Sequence, residues 1–444
     1  MKNSDENQVT AWVEKHLGGR VTACERQPRW RPAWFLTVER DGRAQEVYFR
    51  GDRGISDAAV YALEHEMACL QVLEAEGIPV PHVFGFCTAP RGILMERSPG
   101  RADLSTAKDE AERRSVGRHY MEILARMHAL DIAPFLDAGL KPPADPDQLA
   151  LADLPLWEHG YRRAKKRPEP LIEFGLRWLK RNIPAPAGEA CFVCGDSGQF
   201  LFDEGRITAV LDLELAHLGD PAEDLGALRC RDLSEPLGPL APWVADYEAE
   251  SGRRVDRRLI DYHTVRFALS TPLAIVPVLA TARPGVDLIQ YLCWYHVYSR
   301  APLEIMAHAG GITLEAPDLP SASTDRHTAM HEDLCLRLAP SGNEDDFDHY
   351  DGSTAYRTAV YLQRRNQYGE ALASDDIADI NDLLGTHLDN LDEAEQALEN
   401  RIIAAGPDAD ADIMQLLYRR ALRQELLLGP VLAELSGARI QLTD

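Results

Sequence analysis

Residues 191–228 read CFVCGDSGQFLFDEGRITAVLDLELAHLGDPAEDLGAL, and this stretch decides the fold. An apolar run over Cys191–Cys194 leads directly into Asp196, and a second apolar run over Ile207–Leu211 leads into Asp212. The turn-forming residues DEGR separate the two runs. The pattern predicts two short strands, paired as a hairpin, that each deliver one carboxylate to the same end.

Two carboxylates in this arrangement suit a division of labour on a phosphate-bearing substrate. One carboxylate, from Asp196, can orient a hydroxyl group and accept its proton. The other, from Asp212, can hold Mg²⁺ against a polyphosphate, because hard cations prefer oxygen ligands. The sequence therefore favours an enzyme that acts on a metal-bound polyphosphate.

Three ordered motifs in this stretch resemble the aminoglycoside phosphotransferase/choline kinase-like superfamily of small-molecule kinases. That family's signature is His-Gly-Asp, a downstream Asn, Ile/Leu-Asp-Trp-Glu and Gly-Asp-Pro-x-x-Asp-Leu. The matching segments here are Gly195-Asp196, Leu211–Glu214 and Gly219–Leu225. The resemblance is strongest to the phosphotransferase domain associated with acyl-CoA dehydrogenases, which includes kinases of hydroxyacyl-CoA thioesters. The segment WEHGYRRAKKRPEPLIEFGLRWLKRNIP, residues 157–184, extends this resemblance beyond the short motifs.

The resemblance implies an α+β, bilobal protein-kinase-like fold with a small strand-rich N-lobe, a larger helical C-lobe and an appended all-α module. The expected divisions are residues 1–97 for the N-lobe with an N-terminal helix, 98–310 for the C-lobe, 311–352 for a linker and 353–444 for the helical accessory domain. Helical apolar spacing supports the last division, with helices expected over Thr354–Leu372, Asp375–Leu384, Asp389–Ala405 and Asp410–Leu435. The role of this module stays open between docking, homodimerisation and support of a lid.

Local patterns in the N-lobe predict its first elements. Two alternating runs, Trp34–Arg40 and Gln45–Arg50, flank a turn signal and predict a hairpin. A helix is expected over Ala58–Glu76, with Ser56 or Asp57 as its cap.

The resemblance also implies roles for residues that would bind ATP. Arg50 stands at the position of the phosphate-binding lysine, and Glu66 stands at the position of its helix partner. A guanidinium can clamp phosphates as a fork, so the arginine is chemically suited to this role. Met95 and Glu96 stand at the hinge that reads adenine.

The remaining implied roles concern chemistry and the acceptor. Asp196 would be the catalytic base, and Asp212 would hold Mg²⁺ with help from Gln199. Arg229 and Arg231 follow the last motif closely and are expected to face the acceptor, a small-molecule hydroxyl compound that is CoA-linked in the relatives of this type.

Three departures from the family pattern keep two other functions open. The motif His is Cys194, the motif Asn is Gln199, and the loop over the phosphates, Arg26–Pro32, has two prolines and no glycine. The arginines of this loop either replace backbone donors or form a solvated basic loop. The alternatives to a kinase are a pseudokinase that acts as a binding or scaffold protein, and a nucleotidyl (AMP) transferase that uses the same carboxylates.

Composition limits the class of partner and the compartment. The net charge of −24 argues against nucleic-acid binding, because the chain has no basic excess to neutralise phosphates. No apolar run reaches the length of a membrane span, and eight cysteines in apolar surroundings predict reduced thiols in a cytoplasmic protein. The densest basic cluster, Arg162–Arg167, is expected either to be a solvated helix end or to contact an anionic substrate.

Overall fold

The N-lobe is a five-stranded antiparallel sheet. The computed structural model describes residues 2–54, 60–185, 188–281, 285–343 and 346–442. The strands are β1 Arg20–Arg26, β2 Ala33–Arg40, β3 Arg43–Gly51, β4 Val83–Thr88 and β5 Arg91–Glu96, in the spatial order β1-β2-β3-β5-β4. The predicted hairpin is present as β2 and β3. Its turn residues Asp41 and Gly42 both adopt positive φ, as a tight hairpin turn requires.

One helix covers each face of this sheet. Helix α1, Lys2–Leu17, buries Val9 and Val13 on the face that carries Leu94. Helix α2, Leu63–Ala75, packs on the face that carries Ile93 and Met95. Neighbouring residues of β5 face opposite sides of the sheet because successive side chains of a strand alternate between its two faces. The predicted caps Ser56 and Asp57 and the predicted helix start at Ala58 lie outside the described residues, and α2 spans Leu63–Ala75.

The C-lobe is helical around four short strands. Its helices are α3 Glu110–His128, α4 Ala133–Asp137, α5 Pro146–Leu151, α6 Leu154–Ala164, α7 Pro170–Arg181, α8 Ala222–Arg231, α9 Ala241–Ser251, α10 Arg257–Ala280 and α11 Leu288–Ala309. Its strands are β6 Cys191–Val193, β7 Phe200–Asp203, β8 Arg206–Val210 and β9 His217–Gly219. By length and composition alone α10 could span a membrane, but 78% of its apolar window is buried inside the fold, as in core helices of globular proteins.

The strand pairing corrects one prediction. The run at Cys191 does not form a hairpin with the run at Ile207, because β6 pairs with β9 and β8 pairs with β7. The true hairpin uses Phe200–Asp203, whose two phenylalanines point into the core on alternate positions. The carboxylates of Asp196 and Asp212 still follow the ends of β6 and β8.

The C-terminal region consists of α12 Thr328–Leu338, α13 Phe347–Leu384, α14 Leu391–Ala404 and α15 Asp410–Leu428. Two expectations differ from the structure here. The segment expected to be a linker, 311–352, contains α12 and the start of α13. The two helices expected before Gly385 are one continuous helix, in which buried Asp376 pairs with Arg420 and Arg423 of α15. Because α15 supplies partners for this carboxylate, the polar stretch can continue as helix.

The C-terminal helices share an apolar core with the C-lobe. Ile380, Leu398 and Leu417 belong to the same buried cluster as Leu269 and Leu273 of α10. The boundary expected at residue 353 is therefore not a break in packing, and the division into domains stays a prediction.

The basic cluster after α6 ties these helices to the C-lobe rather than forming a free cationic surface. Lys165 donates to Glu173 and to Glu399 of α14, both at 2.7 Å. Arg162 pairs with Glu173 as well, and Arg167 pairs with Glu169. With these carboxylates as neighbours, the cluster holds the C-terminal helices in place.

Replacing Glu399 with Ala is expected to lower the free energy of unfolding by about 2 kcal/mol. Glu399 is buried and accepts hydrogen bonds from the Lys165 ammonium and from the backbone N–H of Glu169. Its removal leaves that buried N–H without an acceptor. Urea unfolding followed by circular dichroism measures the change. Glu393→Ala, an exposed change on the same helix, is the control, and an equal loss in both variants would contradict the assigned docking role.

Candidate active site

Arg50 lies at the centre of a buried ion-pair network. It is the next-to-last residue of β3, and its side chain points under the sheet toward α2. Its Nε donates to Glu66 at 2.8 Å, and its guanidinium also contacts Asp212. The negative charges around Arg50 outweigh its burial and raise its pKa well above the ordinary value. A permanently charged guanidinium is therefore fixed between the two lobes.

Asp212 and Glu214 leave β8 on a strained turn. Asp212 adopts the left-handed conformation, with φ of 56°, which Asp tolerates better than most residues. The short turn that follows buries Leu213 and turns both carboxylates to the same side. Ligand oxygens of Glu66, Asp212 and Glu214 lie within 4.8 Å of one another. Three hard oxygen donors at this spacing fit a divalent cation such as Mg²⁺.

Arginines surround this carboxylate cluster. Arg31 of the loop between β1 and β2 contacts Glu214, and Arg53 donates to the same carboxylate at 2.9 Å. Burial alone would raise the pKa of Asp212, but the charges of Arg50, Arg31 and Arg53 hold that pKa below its usual range. The pKa of Glu214 is lowered in the same way despite its burial. Both carboxylates are therefore ionised at neutral pH.

Asp196 follows a turn that only glycine fits. Gly195 has φ of 77°, and a Cβ there would lie 2.2 Å from the carbonyl oxygen of Leu215. Asp224 fixes the same loop by accepting the backbone N–H groups of Cys194 and Gly195 at 2.9 and 3.0 Å. The loop thus holds Asp196 against the turn that carries Asp212.

Burial gives Asp196 an unusual acidity. Loss of solvent raises its pKa to about 6, although the contact with Arg231 opposes this and the charge of Asp212 adds to it. Gln199 donates its side-chain N–H to the other carboxylate oxygen at 2.9 Å. A carboxylate with a pKa near neutrality is suited to accept a proton from a hydroxyl group.

Comparison with known proteins decides the family. The model of the phosphotransferase enzyme family matches residues 33–268, more than half of the chain. The chain belongs to this family. The predicted resemblance is therefore confirmed, and so is the kinase-like fold class.

Individual similar proteins are consistent with the assignment of this chain to the phosphotransferase family. Acyl-CoA dehydrogenase family member 11 of Rattus norvegicus is 30% identical over 247 residues, which are 50% of this chain and 31% of that protein. Family member 10 of Mus musculus is 31% identical over 181 residues, 38% of this chain and 16% of that protein. The match thus spans about a third or less of these relatives. A candidate aminoglycoside phosphotransferase of Ralstonia eutropha JMP134 shares the fold, with a TM-score of 0.51 and 20% identity over 68% of this chain and 98% of its own.

The structure places most of the predicted site residues of this phosphotransferase together. Arg50, Glu66 and Asp212 are in direct contact, and Gln199 lies against Asp196. The roles assigned to these residues stay predictions. The role of Gln199 as a metal ligand also stays a prediction, because the contact shown for its side chain is with Asp196.

The outer predicted positions differ in their surroundings. Met95 is buried in β5, while Glu96 is exposed at its end and donates its backbone N–H to His82. Arg231 contacts Asp196, and its role toward the acceptor stays a prediction. Arg229 does not face a cleft, because it is buried and holds the backbone of Gln441 and the carboxylate of Asp261.

The sequence analysis did not predict Arg53 as a site residue, and it did not predict Glu214 as a metal ligand. Glu214 stands two residues after Asp212 within the quoted metal motif, and this spacing was the available signal. Arg53 lies in an irregular segment after β3, where no periodicity marks it. Its contact with Glu214 joins residues that are 161 positions apart, so only the folded chain reveals it.

A cavity of about 700 Å³ adjoins Glu214. Its wall combines apolar groups with guanidiniums. The residues include Val60, Trp157, Leu215, Ala274, Val278 and Tyr291 on the apolar side, with Arg31, Arg53, Arg91, Asp52 and Glu214 on the charged side. Such a wall can accept an apolar chain that is joined to an anionic group.

Proposed function

We propose that this phosphotransferase moves the γ-phosphoryl group of ATP to a hydroxyl group of a small molecule, in a Mg²⁺-dependent reaction. The observation that carries the proposal is that Asp196 lies near enough to Asp212 for the two charges to interact, while Asp212 itself belongs to the Glu66–Asp212–Glu214 cluster around Arg50. Asp212 and Glu214 would hold the metal. When bound, Mg²⁺ would supply positive charge against the β- and γ-phosphate oxygens.

Each side chain then has one task. Asp196 orients the acceptor hydroxyl and accepts its proton as the new O–P bond forms and the bond to ADP breaks. Arg50, fixed by Glu66, stabilises negative charge on the phosphates. Gln199 and Arg231 hold the two oxygens of Asp196 in place. Most of the rate would come from positioning and electrostatics, because phosphoryl transfer needs little covalent chemistry from the protein.

A hydroxyacyl-CoA is the acceptor that we propose. Two observations support it: the relatives are acyl-CoA dehydrogenase family members, and the cavity beside Glu214 has an apolar wall that suits an acyl chain. Phosphorylation would convert the hydroxyl into a better leaving group. Incubation with ATP and Mg²⁺ against hydroxyacyl-CoAs, aminoglycosides and simple alcohols tests the class. Release of ADP with a hydroxyacyl-CoA supports the proposal, whereas release of pyrophosphate together with AMP joined to the acceptor would identify a nucleotidyl transferase.

Activity is expected to fall about tenfold per pH unit below about pH 6, because Asp196 must be ionised to accept a proton. The positive charge of Arg231 lowers the pKa of Asp196, so Arg231→Gln should raise that pKa and move the acid limb to higher pH. The pH profile of kcat/KM measures both effects. Arg118→Gln removes an exposed guanidinium from α3 and serves as the control. An acid limb that stays in place in Arg231→Gln would contradict the assignment of the limb to Asp196.

A further inference from the structure

Every carboxylate of the proposed metal cluster is paired with an arginine. The ion pairs are Arg50–Glu66, Arg50–Asp212, Arg50–Glu214, Arg31–Glu214 and Arg53–Glu214. Three guanidiniums thus balance three carboxylates within one small volume. A divalent cation can reach the ligand oxygens of Glu214 only after its ion pairs open.

Opening these pairs for a metal ion alone is unfavourable. Arg31 is 6% exposed, and without Glu214 it would be a buried charge with no opposite partner. Burial and the positive charges of Arg50 and Arg53 already lower the pKa of Arg31, which shows that the guanidiniums repel one another. The two positive charges of a divalent metal ion would increase this repulsion unless anions bound together with the metal.

The loop before β2 directs Arg31 inward. Arg26 donates to the backbone carbonyls of Arg29, Arg31 and Ala33, and this fixes the path of the loop. Residues 27–32 include two prolines and no glycine, so backbone N–H groups are few where phosphates would lie. Side-chain guanidiniums are the donors that remain, and they can bind phosphate oxygens in pairs.

Resting on the proposed function, we infer that Arg31 and Arg53 complete, with Arg50, a three-arginine site for the phosphates of a nucleotide. On binding, these two arginines exchange Glu214 for phosphate oxygens, and Glu214 becomes free for the metal. Neither the binding of the metal alone nor the binding of the nucleotide alone is favoured. Metal and nucleotide therefore bind with strong positive coupling, and the arginines set that coupling.

Electron paramagnetic resonance of Mn²⁺ and calorimetry with ADP test this exchange. In the wild type, ADP should strengthen Mn²⁺ binding by about tenfold or more. In the double variant Arg31→Gln/Arg53→Gln, Mn²⁺ alone should bind more tightly than in the wild type. ADP should bind about tenfold more weakly, and the coupling should disappear. Arg43→Gln, which removes an exposed guanidinium at the start of β3, is the control and should behave as the wild type.

The outcomes separate this inference from the proposed function. An equal affinity of the folded double variant and the wild type for ADP, or equal affinities for Mn²⁺ alone, would overturn the exchange and leave the kinase proposal standing. A wild type that binds no ADP would overturn both. Melting curves of the variants without ligand show that each is folded before binding is compared.

Discussion

Replacing Asp196 with Asn is expected to lower kcat about 10³-fold while nucleotide binding is retained. An amide cannot accept the proton of the acceptor hydroxyl, but it has nearly the shape of the carboxylate. Asp196 lies apart from the Glu66–Asp212–Glu214 cluster that would hold the metal, so the nucleotide site stays complete. Rates of ADP release in a coupled assay, together with thermal shifts in ATP and Mg²⁺, separate the two effects.

Asp203→Asn is the matched control for this variant. Asp203 lies in the exposed turn of the β7–β8 hairpin, so the same chemical change there should leave turnover unaffected. Turnover in Asp196→Asn that equals the wild-type rate would remove Asp196 from the mechanism. Loss of the thermal shift in the same variant would mean that Asp196 binds nucleotide rather than acting as the base.

Replacing Asp212 with Asn is expected to lower kcat about 10²- to 10³-fold and to weaken the response to Mg²⁺. Asp212 supplies a carboxylate of the metal cluster, and the surrounding arginines keep it ionised. A neutral amide is a weaker ligand for a hard cation. Arg50 keeps Glu66 as its buried partner, so the fold should survive.

Titration of activity with Mg²⁺ measures this second effect. The concentration of Mg²⁺ for half-maximal rate should rise in Asp212→Asn and stay unchanged in Asp203→Asn. An unchanged Mg²⁺ requirement together with a lower rate would show that Asp212 acts in another way. Asp212→Asn should change the Mg²⁺ requirement, and Asp196→Asn should change the rate without changing that requirement, so the two variants distinguish the roles of the two aspartates.

Local sequence predicted the elements whose contacts are close along the chain. The β2–β3 hairpin follows from alternation and from the turn at Asp41 and Gly42, which both need positive φ. The two candidate aspartates follow directly from the ends of two apolar runs. In each case the decisive physical terms act over a few residues.

Pairing between distant segments was not predictable in the same way. β6 is only three residues long, and nothing in its own sequence selects β9 rather than β8 as its partner. Phe200 and Phe202 alternate with less apolar surroundings, but the prediction paired the two runs that lead into the aspartates and did not assign a strand to this segment. The continuous α13 depends on arginines of α15 that bind Asp376, and these lie more than forty positions away.

The surroundings of the arginines show the same limit within the site. Arg31 contacts a carboxylate 183 positions away, and Arg229 binds a backbone carbonyl 212 positions away. Both arginines looked free in the sequence, because their charge gives no indication of its partner. In the folded chain, Arg31 belongs to the candidate site, whereas Arg229 contributes to packing.

A crystal structure with Mg²⁺ and a non-hydrolysable ATP analogue tests the central claim most directly. The account predicts a metal ion bound by Asp212 and Glu214, with the terminal phosphate beside Arg50 and facing Asp196 across a gap of about 3–4 Å, large enough to seat a hydroxyl oxygen. Phosphates bound away from these aspartates, or a metal bound without Asp212, would contradict it.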